Sequence, residues 1–180
     1  MHEKRFNGET DRLRSPERVK LLDAERVVSL SVENINPKSV LDIGTGTGLF
    51  AEAFAKLVPD VTGIDVSDDM LEKAKLHVPG GKFEKAQAEE LPFAEASFDV
   101  VFMGLVFHET DEQLKALQEA RRTAKKRVAI LEWAYEEGPQ GPPLEHRLSD
   151  ETISGYISKA GFKSFDKVKL NQLVLYRLER

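Results

Sequence analysis

An α/β layered sheet is the fold this sequence predicts, on three observations. Short apolar runs of strand length alternate with segments of helical spacing nearly throughout the chain. The clearest strand runs into a glycine-rich turn, Val40-Leu41-Asp42-Ile43-Gly44-Thr45-Gly46-Thr47-Gly48, and a helix follows at once. The last two strands have no helix between them, which marks a closing hairpin around Leu170 and Asn171.

The elements follow in order. Ser15 then Pro16 is a helix start, with a capping hydroxyl and proline at the first helical position, and a helix is predicted over 16–32. A strand is predicted over 39–43. After the glycines, Leu49, Phe50, Ala53, Phe54 and Leu57 recur at helical spacing, so 49–57 is a helix whose N-terminus carries the loop amides. Val-Thr-Gly-Ile-Asp at 61–65 is a second short strand. Beyond it come a helix over 68–77, strands over 82–85 and 98–103, a helix over 111–124 and a strand over 127–133. A helix over 150–160 and strands over 164–169 and 172–178 complete the pattern. No repeat, low-complexity tract or second domain is apparent, so 1–180 is expected to be a single domain, with 1–36 as an N-terminal cap and helix and 37–180 as a cofactor-binding core.

Composition bounds the class. The chain has 180 residues, 41% hydrophobic and 32% charged, ordinary values for a globular domain with a full core. No apolar run approaches the roughly twenty residues of a membrane span, and Met1-His2-Glu3-Lys4-Arg5 lacks the apolar region of a signal peptide. Without cysteine there is no disulfide, thiolate nucleophile or thiolate metal site, and cytoplasmic residence is expected. No metal is expected. Net charge is −5 with no basic block, which argues against nucleic acid as the main substrate. Arg121, Arg122, Lys125, Lys126 and Arg127 cluster near one helix end, where cations favour the helix C-terminal dipole.

The glycine loop departs twice from the dinucleotide fingerprint. Leu49 occupies the place of the third glycine, and the Asp42 carboxylate would lie close to a pyrophosphate and repel it. S-adenosylmethionine carries no phosphate, and its sulfonium and ammonium groups would be attracted by that carboxylate. The run Asp42-x-Gly44-x-Gly46-x-Gly48 resembles motif I of the class I S-adenosylmethionine-dependent methyltransferases, of a small-molecule branch like that of ubiquinone and menaquinone biosynthesis. The resemblance implies a Rossmann-like, seven-stranded, mostly parallel sheet with helices on both faces and an antiparallel last strand. It also implies S-adenosylmethionine as cofactor, with Asp42, Gly44, Thr45, Gly46 and Gly48 in the loop that holds it.

Asp65 ends the second strand about twenty residues after the first glycine, where a carboxylate takes both ribose hydroxyls; that geometry is shared with dinucleotide folds. Val66 follows it. Ala86-Gln87-Ala88-Glu89-Glu90-Leu91-Pro92-Phe93 resembles the stretch that holds adenine in these enzymes, through Gln87, Ala88 and Glu89. Many relatives have Asp where this chain has Gln87, whose amide oxygen is the weaker acceptor.

Substrate chemistry in such sheets lies beyond the carboxyl ends of the strands. Phe107-His108-Glu109 follows the fourth strand: His108 would serve as general base near neutral pH, or pack as a spacer. Glu132 and Trp133 end the fifth strand, where Glu132 would bind a cationic or hydroxyl-bearing substrate and Trp133 would stack on it, or both would serve packing and surface pairing. Glu136-Glu137-Gly138-Pro139-Gln140-Gly141-Pro142-Pro143-Leu144-Glu145-His146-Arg147 is irregular by its Pro and Gly content, and is either a substrate wall contributing His146 and Arg147 or a plain connection. A Gly-Pro-Pro segment together with Phe-His-Glu resembles a subgroup of small bacterial and archaeal methyltransferases. Ahead of the first strand, Phe6 would cover the cofactor and face the substrate.

The expected reaction is in-line displacement of the sulfonium methyl by a small-molecule acceptor, with His108 and Glu132 as catalytic candidates. A base is needed only for an acceptor protonated at neutral pH. The expected state is monomer or homodimer, with no membrane partner. Two alternatives remain from sequence: a non-catalytic cofactor-binding module, and an NAD-dependent oxidoreductase.

Overall fold

The computed structural model describes residues 10–180. The sheet is assembled from buried, mainly apolar inner strands, whose residues alternate between its two faces, and two polar, exposed edge strands. Its strands are β1 (Ser39–Ile43), β2 (Asp60–Asp65), β3 (Lys82–Lys85), β4 (Phe98–Gly104), β5 (Ala124–Trp133), β6 (Ser164–Lys169) and β7 (Leu173–Glu179). They lie in the order β3-β2-β1-β4-β5-β7-β6, with β7 antiparallel to both its neighbours and the other pairings parallel. The hairpin at Leu170 and Asn171 is thus what turns the chain back against β5.

Strand alternation builds two cores. Leu41, Ile43, Val101, Met103, Val128, Ile130, Val174 and Tyr176 point to one face. There they meet Ala116, Leu117 and Ala120 of α5 (Gln113–Thr123), and Ile153 and Ile157 of α6 (Asp150–Lys159). Val40, Val100, Phe102, Ala129, Leu131, Leu173 and Leu175 point to the other. Here they meet α1 (Pro16–Leu22), α2 (Ala24–Ser31) and α3 (Leu49–Ala55) through Leu22, Val27, Val28, Phe50, Ala51 and Phe54. Helix α4 (Asp68–His77) packs beside β2 and β3. Central strands buried on both faces read as near-continuous apolar runs, and this is why β1, β4 and β5 stood out in the sequence. Among the described residues, no helix is long and apolar enough to cross a membrane.

Most element ends fall within two residues of those read in sequence, and two larger differences have structural causes. The helix predicted over 16–32 is broken at Asp23, whose backbone takes the left-handed region at φ 42° and donates its N–H to the Val19 carbonyl. Aspartate tolerates that conformation, and the break re-aims α2 so that Val27 and Val28 are buried. Strand β5 begins at Ala124, directly after α5, instead of at Arg127, because Phe98 pairs with Ala124 and the ladder then slips before Val100 meets Arg127. Lys125 and Lys126, exposed in that slipped segment, hid the strand start from a pattern search.

Phe102 is fully buried, with its ring centroid 5.0 Å from that of Phe50 and 5.2 Å from that of Phe54. Phe102→Ala is expected to cost about 3–5 kcal/mol of unfolding free energy, read from urea titration. A loss below about 1 kcal/mol would show this face to be loosely packed.

Candidate active site

The site is built where parallel strands end. The chain leaves β1 through Gly44, Gly46 and Gly48, all with positive φ. At Gly44 a side chain is impossible on two grounds: φ is +68°, and an added Cβ would lie 2.4 Å from Cγ2 of Val106. The turn after β1 is therefore packed directly on the turn after β4. At Gly46, φ +54°, an added Cβ would instead enter open space, with only Leu13 at 3.9 Å. That space is the floor of a cavity of about 1010 Å³. It lies at the top of the usual range for a small-ligand site, roughly 300–1,000 Å³.

The loop is held by hydrogen bonds to the end of β2. Thr45 donates its N–H to the Ile64 carbonyl at 2.9 Å, and Gly46 donates its N–H to Asp65 Oδ2 at 2.9 Å. Ser67 N–H donates to Asp65 Oδ1 at 3.0 Å. The Asp65 carboxylate is thus fixed in the cavity wall, beside Val66. Asp42 lies beneath the loop, 1% exposed, accepting from the Thr45 hydroxyl at 2.7 Å. Burial pushes its carboxyl up to about 7; the Asp65 charge adds to the rise, while the Thr45 hydroxyl and Ala51 amide pull it back.

Ala88 and Glu89 line the cavity, whereas Gln87 does not. Gln87 is exposed and forms a bridge with Glu90. This differs from the expectation for its side chain: the Gln87–Glu90 bridge leaves Gln87 exposed while Ala86, Ala88 and Glu89 line the cavity. Phe6 lies outside the described residues.

The opposite wall comes from the ends of β4 and β5. Phe107–Glu109 forms a 3-10 turn, and His108 is 4% exposed yet lines the cavity. Its Nδ1 lies 3.0 and 2.9 Å from the two carboxylate oxygens of Glu132, whose Oε1 also accepts the His108 backbone N–H at 3.0 Å. Such a carboxylate fixes Nδ1–H as a donor and leaves Nε2 as the acceptor nitrogen. Burial pulls the imidazole toward the neutral form; the Glu132 charge and hydrogen bond more than offset this, Glu109 adds, and Arg147 opposes. The net result is a pKa above the ordinary histidine value. Glu132 itself is absent from the cavity lining: it is 1% exposed, behind His108, and also accepts the Trp133 N–H at 3.2 Å. The sequence reading of Glu132 as a direct substrate ligand is therefore corrected to a carboxylate that orients His108.

The segment after β5 is an ordered wall. Gln140, Gly141, Pro142, Pro143 and His146 line the cavity with Trp133. Arg147 does not, contrary to its reading as a substrate residue. Its Nε donates to the Pro142 carbonyl at 2.9 Å, Nη1 to those of Ala134 and Glu136 at 3.1 and 2.8 Å, and Nη2 to that of Gln140 at 2.7 Å. The guanidinium also lies 5.4 Å from the Trp133 ring centroid. A loop rich in proline and glycine has few amides to pair with itself, so a five-donor side chain supplies the missing partners.

The sequence reading expected an N-terminal cap but named none of its described residues as bringing it to the cavity. Leu13, Ser15, Glu17 and Arg18 line the cavity. Arg14 docks this layer on the glycine loop, donating to the Thr47 hydroxyl at 3.2 Å, the Thr47 carbonyl at 3.0 Å and Glu52 at 2.7 Å. The available signal was the spacing of Arg14 and Arg18 around the Ser15-Pro16 helix start. Leu105 and Val106 also went unnoticed, because they read as the end of an apolar strand.

Residues 41–131 match the protein family described as "Methyltransferase domain". A demethylmenaquinone methyltransferase of Thermotoga maritima is 35% identical over 137 residues, spanning 74% of this chain and 56% of the relative. The chain thus spans little more than half of that protein's length. A crystal structure described as a SAM-dependent methyltransferase from Aquifex aeolicus superposes with a TM-score of 0.85 at 28% identity, covering 94% of this chain and 96% of that one. A structure of the YcgJ protein of Bacillus subtilis, 24% identical, shares the fold with a TM-score of 0.69 over 82% of this chain and 70% of its own.

Trp133 and the 136–147 wall lie beyond the family-matched residues, so their role rests on the geometry above. Arg147→Met would leave the carbonyls of Glu136, Gln140 and Pro142 without their donor, while that of Ala134 keeps the Glu136 N–H. It is expected to cost about 2–4 kcal/mol of stability and to speed hydrogen exchange in 136–148 ahead of the sheet. Unchanged exchange would show that the prolines alone hold the loop.

Proposed function

The chain belongs to the methyltransferase-domain family, within the class I S-adenosylmethionine-dependent enzymes, and on that premise we propose that one cavity serves both cofactor and a small-molecule acceptor. The observation that carries this reading is the cavity's division. One side is the glycine loop, Asp65 and Ala88, and the other is His108, Trp133 and the proline-rich wall.

The residues present fit the cofactor. Gly46 leaves room where any Cβ would intrude, and the Asp65 carboxylate, anchored by two backbone amides, presents acceptors for ribose hydroxyls. Val66, Ala88 and Glu89 line the adjacent space suited to the base. Asp42, ionised, supplies negative potential beneath the loop. When bound, S-adenosylmethionine supplies a methyl group on a sulfonium leaving group.

The chain's own contribution is to orient the acceptor, exclude water and hold a proton. Trp133 and the rigid 140–143 wall restrict the acceptor's approach, an effect worth several kcal/mol when reacting atoms are aligned. Where the acceptor carries a proton, His108 Nε2 receives it, and Glu132 stabilises the imidazolium formed. His146 completes the acceptor side as a cavity-lining group.

The decisive experiment is calorimetric titration with S-adenosylmethionine, S-adenosylhomocysteine and NAD, followed by an acceptor screen for methyl transfer. Binding of the first two without NAD supports the reading; NAD binding alone would overturn it. Asp65→Ala is expected to weaken S-adenosylmethionine by roughly 1.5–3 kcal/mol, while His108→Ala preserves that affinity and lowers kcat by about 10²–10⁴ for a protonated acceptor. Equal turnover in His108→Ala would remove the imidazole from the chemistry. A pH effect follows from Asp42. Above about 7 its carboxylate is ionised and attracts the sulfonium; below, protonation removes that attraction. Affinity for S-adenosylmethionine is therefore expected to rise with pH through that value in the wild type, and to rise less in Asp42→Asn, where the cavity-lining His108 still loses its proton.

A further inference from the structure

Among the described residues, the half-buried and buried arginines are engaged with two exceptions: Arg121, whose Nε is buried without a hydrogen-bond partner and which lies outside the cavity lining, and Arg18. Arg14, Arg122, Arg127, Arg147 and Arg177 each donate three or more hydrogen bonds to carbonyls, hydroxyls or carboxylates. Arg121 has its plane over Phe162. Arg18, half-buried in the cavity wall, makes no guanidinium hydrogen bond and no ion pair among the described residues. Glu109 attracts it without closing to ion-pair distance, and burial holds its pKa below the ordinary arginine value. A guanidinium losing water costs free energy unless a partner compensates, and its planar fork matches a carboxylate or phosphate.

The position is specific. Arg18 sits on α1, four residues beyond the Arg14 that docks the N-terminal layer on the glycine loop, and it shares the cavity with His108 and Glu109. The other ionisable groups lining the cavity are Arg12, which is exposed, the acids Glu17, Asp65, Glu89 and Glu109, and the imidazoles of His108 and His146. A cavity edged by four carboxylates repels a free anion unless one cationic group is reserved for it.

We propose that Arg18 is the anion-recognition residue of the cavity, taking a carboxylate or similar oxyanion of a bound ligand by a forked pair of hydrogen bonds. This rests on the methyltransferase reading for the identity of the ligands. Two sources of the anion share this chemistry: the amino-acid carboxylate of the cofactor, and an acidic group on the acceptor.

The experiment compares wild type, Arg18→Gln and Arg18→Lys by calorimetry. S-adenosylhomocysteine is titrated against 5′-methylthioadenosine, which lacks the amino-acid carboxylate. Benzoate is titrated against neutral benzamide, on the free protein and on the S-adenosylhomocysteine complex. If the cofactor supplies the anion, Arg18→Gln weakens S-adenosylhomocysteine roughly 10- to 100-fold, with methylthioadenosine changed less than about twofold. If the acceptor supplies it, Arg18→Gln leaves both nucleosides alone and abolishes the preference for benzoate over benzamide. Arg18→Lys restores part of the lost affinity in either case. Wild-type affinity of Arg18→Gln for all four probes overturns the proposal. So does equal weakening of charged and neutral members, which would assign Arg18 a packing role. A wild-type protein binding neither nucleoside would sink the methyltransferase reading instead, and the benzoate arm on the free protein then decides Arg18 by itself.

Discussion

The absence of one Cβ organises this molecule's ligand-binding end. Because Gly44 carries no side chain and turns at positive φ, the loop after β1 settles against Val106 of the loop after β4. These two turns close over the central pair of the sheet, and the remaining parts of the site take their positions from them. The Thr45 and Gly46 amides reach Ile64 and Asp65 at the end of β2, which fixes the Asp65 carboxylate. On the other side, the chain beyond Val106 turns into Phe107–Glu109 and brings His108 onto Glu132. A methyl group at position 44 would therefore disturb both halves of the cavity together.

Two arginines extend that frame outward by the same physical means. Each spends a planar, multi-donor guanidinium on groups that lack partners. Arg14 fastens the N-terminal layer to Thr47 and Glu52, and Arg147 fastens the proline-rich wall to β5. The cavity is thus roofed by segments far apart in sequence, held by hydrogen bonds that lose strength steeply with distortion.

What could be read from the sequence divides along physical lines. Strands buried on both faces and the glycine turn were legible because their patterns are local: apolar runs, turn residues and a terminal acid. The seven-stranded sheet and its antiparallel last strand came with the family resemblance, since spacing carries no strand direction, and the strand order is visible only in the structure. Asp65, His108 and Trp133 were singled out because they sit at or just beyond strand ends, the positions that this topology brings together, and all three line the cavity, whereas Asp42 lies beneath it. The role of Glu132 was misread, because a carboxylate at a strand end looks identical in sequence whether it faces ligand or a buried imidazole. Arg147 was misread for a related reason: its partners are main-chain carbonyls, which leave no mark on residue identity. The Asp23 break was invisible within an otherwise helical pattern, and Gln87 was assigned from a position and not from the direction of its side chain.

That Arg147 hydrogen-bonds backbone oxygens alone has an evolutionary corollary. Any amino acid presents the same carbonyl, so the shape of the 136–147 segment is uncoupled from the identity of most of its side chains. Gln140 and Pro142 are gripped through main-chain atoms while also lining the cavity. Replacing what they display would change the chemistry of the wall without dismantling the strut that supports it. Gly141 is the exception, since its Cα lies against Trp133 and an added Cβ would lie 2.6 Å from that ring. Selection for a new acceptor could therefore proceed by single substitutions at adaptable sites around one immovable point, with little loss of folding free energy along the way.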